Sequence, residues 1–433
     1  MDPMYLFYFL LGIVIFFGAE FCGRGWNGEV TSLRQTTMLR GIAAAGVMLH
    51  HMGQKTCAPW HPRNVIVHGL DFFVPIGTLF VGIFLFCSGM GLFKSLKAKP
   101  DYLHGFLRRR IVPILVVFFV SEAVYLAVRL AMGQRMSLLD GILYLLGLHM
   151  ANPNAWYVIV IPFFYLFFWL AFRLCRRDGT AIMWVTLAAL AYTLLGASLD
   201  HSAAWWMCGE WWYNSMMLFP LGMLFAKYEE RVLNFFRKGY WLWLAVAFTA
   251  MLLLQQLNAL AADSWWGYYG ETWGDPLKVV HRLGCTVMQW LACLGVVVFC
   301  GLLMMKFRIG NRILAFLGGL SLELYLIHGL FVELFGYDFM EFTQSLYYIK
   351  HVPLYLVVVT ACSLASAVLL RQACRPLIQR LAPRGGSERR LPAAELRERE
   401  EQNPGAQGDR GGEQEQQPDA EGVGQNAAEH GGD

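Results

Sequence analysis

The chain has 433 residues, 57% of them hydrophobic and only 15% charged, with mean hydropathy +0.44 and a formal net charge of +4. Too few charged side chains remain to cover a soluble domain of this size, and repeated apolar runs of near-bilayer length exclude one. Those runs do not alternate apolar with polar residues, which excludes an outer-membrane barrel and leaves an all-α, polytopic membrane helix bundle.

The first run, MYLFYFLLGIVIFFGA from Met4, has no basic residue before it and no small-residue cleavage site after it, so it reads as a retained span. Further spans are expected to start near residues 38, 70, 111, 155, 180, 213, 240, 279, 313 and 352, about eleven in all. The short run SLLDGILYLLGLHM, from Ser137 to Met150, begins and ends on one side and is expected to be re-entrant or interfacial.

Orientation follows from where Lys and Arg collect. The loop from Lys94 to Arg110 holds six basic residues and one acid, and further basic loops lie at 173–178, 227–238, 306–312 and 371–390. Between them, the segments around Trp205–Trp206, Trp265–Trp266 and Tyr347–Tyr348 are poor in Lys and Arg and rich in aromatic residues. Basic loops inside and aromatic loops outside put the N-terminus outside and the C-terminus in the cytoplasm of a multi-pass plasma-membrane protein. From Gly385 onward five Arg and no Lys stand against twelve acids, with no aromatic residue, so this tail is expected to be disordered. The organisation is then an extra N-terminal span and loop (1–37), a membrane domain (38–380) and an acidic cytoplasmic tail (385–433).

Within the second span, MLRGIAAAGVMLHHMG, the ionisable residues are Arg40, His50 and His51. Eleven residues at ~100° each come to ~20° past three full turns, so Arg40 and His51 share one face, about 16 Å apart along the axis. His50 is turned about 80° away. Taken singly, Arg40 also fits an anchor snorkelling to the inner surface and His51 an interfacial residue. Together they put a permanent cation and a titratable imidazole on a stripe expected to face the bundle interior.

Other fragments follow in order. FVGIFLFCSGMGL carries Ser88, Gly89 and Gly91, and FLRRRIVPI carries Arg108, Arg109, Arg110 and Pro113. NPNAWYV carries Trp156 and Tyr157, and LSLELYLIH carries Ser321, Glu323, Tyr325 and His328. With RGIAAAGVMLHH, these resemble the motifs of the acyltransferase-3 family of integral membrane acyltransferases, across roughly residues 38–375. The chain departs from that pattern in its first span, which is extra to a ten-helix core, in Gly82, where an acid is common, and in Leu107, where an arginine is common.

The resemblance implies transfer of an acyl group, commonly acetyl, from cytoplasmic acyl-CoA to a hydroxyl on the far side, on a glycan, cell-wall polymer or lipid-linked sugar. His51 is then the candidate general base, or a transient carrier of the acyl group, and Arg40 either stabilises charge near the thioester or holds part of coenzyme A. Arg108, Arg109 and Arg110 suit phosphates, although a plain positive-inside loop has the same composition. His328, Ser88, Trp156, Tyr157 and Ser321 are further site candidates. Glu323 precedes His328 by five residues, about 140° past a full turn, so the two do not share a face. Glu122 is an acid at mid-span, a candidate for function or for pairing with an arginine. No EF-hand, Walker or HExxH pattern is present, no metal is expected, and nothing points to nucleic acid. The ten cysteines include no CxxC pair, and a disulfide between Cys57 and Cys208 is open because both fall in expected outer loops. A transporter is the alternative, since polar residues inside a bundle also mark permeation paths.

Overall fold

A computed structural model describes residues 3–59, 61–63, 65–199, 209–265, 276–337 and 347–383. The elements in chain order are α1 (Pro3–Phe16), β1 (Glu20–Phe21), α2 (Leu33–Thr56), α3 (Gly77–Ala98), α4 (Phe106–Ala131), α5 (Leu138–Leu145), α6 (Trp156–Leu174) and α7 (Asp178–Ser198). They continue as α8 (Leu218–Lys227), α9 (Glu229–Arg237), α10 (Tyr240–Leu260), α11 (Pro276–Lys306), β2 (Phe307–Arg308), α12 (Arg312–Gly319), α13 (Ser321–Phe335) and α14 (Val352–Leu381). The two short strands pair antiparallel, Glu20 opposite Arg308. The protein is an all-α membrane bundle, as its composition requires.

Among the described residues, seven helices are long and apolar enough to cross a bilayer: α3, α4, α6, α7, α10, α11 and α14. The span expected from residue 313 is two helices, α12 and α13, bent by 81° at the break. The remaining expected spans fall on α1, α2 and α8. α1 has 14 residues and α8 has 10, short of the ~20 that cross straight. α2 has 24 residues but carries Arg34, Gln35, Thr36, Thr37, Arg40, His50, His51, Gln54 and Lys55, so length suffices where apolarity does not. It also starts earlier than expected, at Leu33, because the Ser32 side chain caps it by accepting from Gln35 N. α5 has eight residues and none of them is buried.

Small residues bring the central helices together. A Cβ on Gly318 of α12 would stand 1.8 Å from the Thr37 carbonyl oxygen of α2, and one on Gly41 would stand 2.2 Å from that of Leu314. At a second crossing, a Cβ on Gly89 of α3 would meet the Phe219 carbonyl oxygen of α8 at 2.0 Å, and one on Gly222 that of Phe86 at 2.1 Å. Backbone-on-backbone packing of this kind is the usual glue between membrane helices, where burial of apolar surface supplies no driving force. α2 is therefore clamped between α3 and α12–α13, and the ionisable face read from its sequence is held against α13.

Gly82 has its own reason. A Cβ there would lie 2.9 Å from Cys293 of α11, so an acidic side chain has no room at this position. The aromatic segments at 200–208, 266–275 and 338–346, expected on the outer side, lie outside the described residues, as do Cys208, with the Cys57–Cys208 pairing, and the acidic tail.

Candidate functional site

His51 sits near the end of α2 and His328 in the middle of α13. His51 Nδ1 and His328 Nε2 are 2.7 Å apart, with the rings 7° from parallel. The other nitrogen of His328, Nδ1, lies 2.8 Å from the Leu324 carbonyl oxygen one turn back. A carbonyl only accepts, so His328 Nδ1 carries a hydrogen, and the neutral ring then presents Nε2 as an acceptor. His51 must donate to it from Nδ1. The neutral His51 ring is left with a bare lone pair on Nε2. His328 is fully buried, while His51 is only half-buried. The pair thus has one ring with both nitrogens bonded and one whose Nε2 is left as the base nitrogen. His50 is turned aside, as the helical arithmetic requires, and its Nδ1 donates to the Phe73 carbonyl oxygen at 2.9 Å.

The polar line continues inward from the pair. Tyr325, one turn before His328, donates its hydroxyl to the Asn154 carbonyl oxygen and accepts from the Tyr157 amide at 3.3 Å. The Tyr157 and Tyr325 rings meet edge to face at 5.8 Å. Arg40 is half-buried. Its guanidinium bonds within its own helix, to the Thr36 carbonyl at 3.4 Å and Thr37 Oγ1 at 3.0 Å, and it makes no ion pair among the described residues. Both contacts draw the head group away from His51. With about 16 Å of helix between them, Arg40 and His51 do not reach the same atom. Further in, Ser88 Oγ and Tyr165 hydroxyl are 3.0 Å apart.

The three arginines opening α4 separate. Arg110 is half-buried and donates twice to the Tyr102 hydroxyl, at 3.2 and 2.9 Å. Arg109 turns back to the Tyr102 carbonyl at 2.9 Å, and Arg108 donates to the Leu381 carbonyl at 2.6 Å, capping the end of α14. None of the three pairs with a carboxylate among the described residues. Successive helix positions differ by ~100°, so the three-arginine run places only Arg110 toward the interior.

The other predicted positions divide. Trp156 is buried beside Tyr157 at the start of α6. Glu122 is fully buried, and its carboxylate accepts from the Ala151 amide at 2.9 Å. It ties the loop before α6 to α4. Ser321 stands at the α12–α13 bend. Glu323 lies in the first turn of α13. Sequence reasoning missed Asn152, Asn154, Tyr102 and Tyr165. Asn152 is fully buried and its amide donates to the Leu326 carbonyl at 2.7 Å, which ties the same loop to α13. The signal available for it was the NPN tripeptide at the mouth of a span, polar residues where a membrane helix has no need of them.

Fold and site together define a multi-pass helical membrane protein with a hydrogen-bonded imidazole pair inside the bundle. Over residues 36–372 the chain matches Acyl_transf_3, described as an acyltransferase domain, and it belongs to that family. α1 falls outside the matched stretch. No curated protein and no solved structure matches the chain. The protein is thus a membrane acyltransferase of the acyltransferase-3 family.

Proposed function

We propose that the protein transfers an acyl group, acetyl in the simplest case, from cytoplasmic acyl-CoA to a hydroxyl of an extracytoplasmic acceptor such as a glycan, cell-wall polymer or lipid-linked sugar. The observation that carries this reading is the Leu324–His328–His51 chain, which leaves His51 Nε2 as a base of fixed tautomer. In the reaction, Nε2 takes the acceptor's hydroxyl proton as its oxygen attacks the thioester carbonyl carbon. The tetrahedral intermediate then collapses, the carbon–sulfur bond breaks, and the departing thiolate takes the proton back from Nε2. His328 holds the ring in orientation and supports the charge that forms on it, as the third member of a triad does.

Arg40 is placed for the donor's arm rather than for the reacting carbonyl. With Arg110 it gives the donor two unpaired cations along the inner half of the line, and guanidinium groups grip phosphates while staying charged. This reading keeps the N-terminus outside and the acidic tail cytoplasmic in the plasma membrane, so that the basic mouth meets acyl-CoA. The protein in nanodiscs with radiolabelled acetyl-CoA provides the test. Label on an added hydroxyl acceptor, with coenzyme A released, supports the reading. Movement of unmodified solute across a vesicle wall without coenzyme A release refutes it.

A further inference from the structure

A cavity of about 400 Å³ lies between α2, α3, α8, α9 and α11, within the ~300–1,000 Å³ of small-molecule sites. Leu39, Phe86, Met90, Phe225, Phe236 and Met304 are among its walls. Two threonine hydroxyls reach its lining, and both are used: Thr36 donates to the carbonyls of Ser32 and Leu33, and Thr31 donates to Glu229. A water inside would find almost no partner, so the walls select hydrocarbon. The floor on one side is α9, which lays Val232, Leu233 and Phe236 against the space. An ion pair between Lys94 and Glu229, 2.9 Å long, holds that helix in place.

Tyr228, 41% exposed, forms the rim. Two cations stack on its ring, Lys227 at 5.2 Å and Arg231 at 5.8 Å from the centroid, and neither is in an ion pair among the described residues. Lys227 also lines a second, polar recess of about 530 Å³ with Arg177, Asp178 and Gly179. Its Nζ lies 3.2 Å from where a Cβ on Gly179 would stand. Asp178 is neutralised by Lys97 at 2.7 Å, which leaves the recess a net positive wall. An apolar chamber and a cationic recess therefore meet at consecutive residues, Lys227 and Tyr228, on the basic-loop side of the bundle.

We propose that these two spaces form one binding site for an anionic membrane lipid, with an acyl chain in the α3–α8–α11 cavity and its phosphate on Lys227 and Arg231. Basic pockets between membrane helices on the positive side recognise acidic head groups in this way. Burial of each chain methylene adds to the affinity. The site stands apart from His51 and does not depend on the acyl transfer reaction.

Native mass spectrometry of the full chain, released from detergent with added phosphatidylglycerol or phosphatidylcholine of equal chain length, tests it. The intact protein should retain phosphatidylglycerol with a preference of about 30-fold, the size expected of two cations near an anionic head group. K227A together with R231A should erase the preference while leaving residual adducts. Gly301 lines the cavity and a Cβ there meets nothing within 4 Å, so Gly301→Leu projects a side chain into the space and should weaken retention of both lipids. Gly301→Ala, which leaves most of the volume, should bind as the parent does. Equal retention of the two lipids, or phosphatidylglycerol kept undiminished by Gly301→Leu at unchanged melting temperature, overturns the proposal. So does displacement of the lipid by palmitoyl-CoA at stoichiometric amounts, which would make the site one for the donor.

Discussion

At the His51 end of the polar line every ring nitrogen except one has a fixed partner, whereas at the Arg110 end a guanidinium meets a tyrosine hydroxyl and no carboxylate. The two ends are built for different work. Proton transfer needs one atom held in one protonation state and orientation, and buried hydrogen bonds to backbone supply that. On the proposed reading, gripping a flexible, highly charged donor needs cations whose charge has not been cancelled, and Arg110 meets no carboxylate among the described residues. The contrast also explains why Glu122, an ionisable group at membrane depth, lies outside the line. Its carboxylate is committed to the Ala151 amide and keeps a loop in place.

Substitutions at the two ends should separate accordingly. His51→Ala should lower the rate of coenzyme A release by ~10²–10⁴-fold, the usual weight of a positioned base, with the donor's binding nearly unchanged. A rate within a factor of about three of the parent would remove His51 from the chemistry. At His328 the outcome depends on what replaces the acceptor. Leu leaves His51 Nδ1 without a buried partner and should cost roughly 10–100-fold in kcat, the rate equivalent of one lost buried hydrogen bond. Gln can still accept through its amide oxygen and should recover most of that loss. Equal activity of the two variants would reduce His328 to packing. At the inner end, Arg110→Ala should raise the donor KM about tenfold with little change in kcat, as loss of one charged hydrogen bond predicts. Arg108→Ala should leave KM in place, because Arg108 caps α14 instead of facing inward. If the two arginines behave alike, the mouth recognises charge by composition and the geometry of Arg110 adds nothing.

Much of this was legible before any coordinates. The shared face of Arg40 and His51 follows from helical arithmetic, because α2 is a regular helix through that stretch and nothing bends it. The separation of Glu323 from His328 was readable for the same reason. What could not be read depends on contacts between helices. No periodicity joins residue 51 to residue 328, so the hydrogen bond that fixes the tautomer was invisible. Nor does a run of three arginines tell which of them turns inward, since that is settled by Tyr102 in the loop before the helix. The 81° break between α12 and α13 was missed because an apolar pattern continues straight through Gly318 and Gly319. The close approach of Gly318 to α2, which holds that corner, is written in the partner and not in the helix itself.

Nitrogen-15 solid-state NMR of histidine-labelled protein, with the His51 signals assigned by their loss in His51→Ala, addresses the central claim most directly. Near neutral pH the Leu324–His328–His51 chain predicts His51 protonated at Nδ1 and bare at Nε2, with a coupling to His328 Nε2. A His51 ring carrying its hydrogen on Nε2, or no contact with His328, would contradict it.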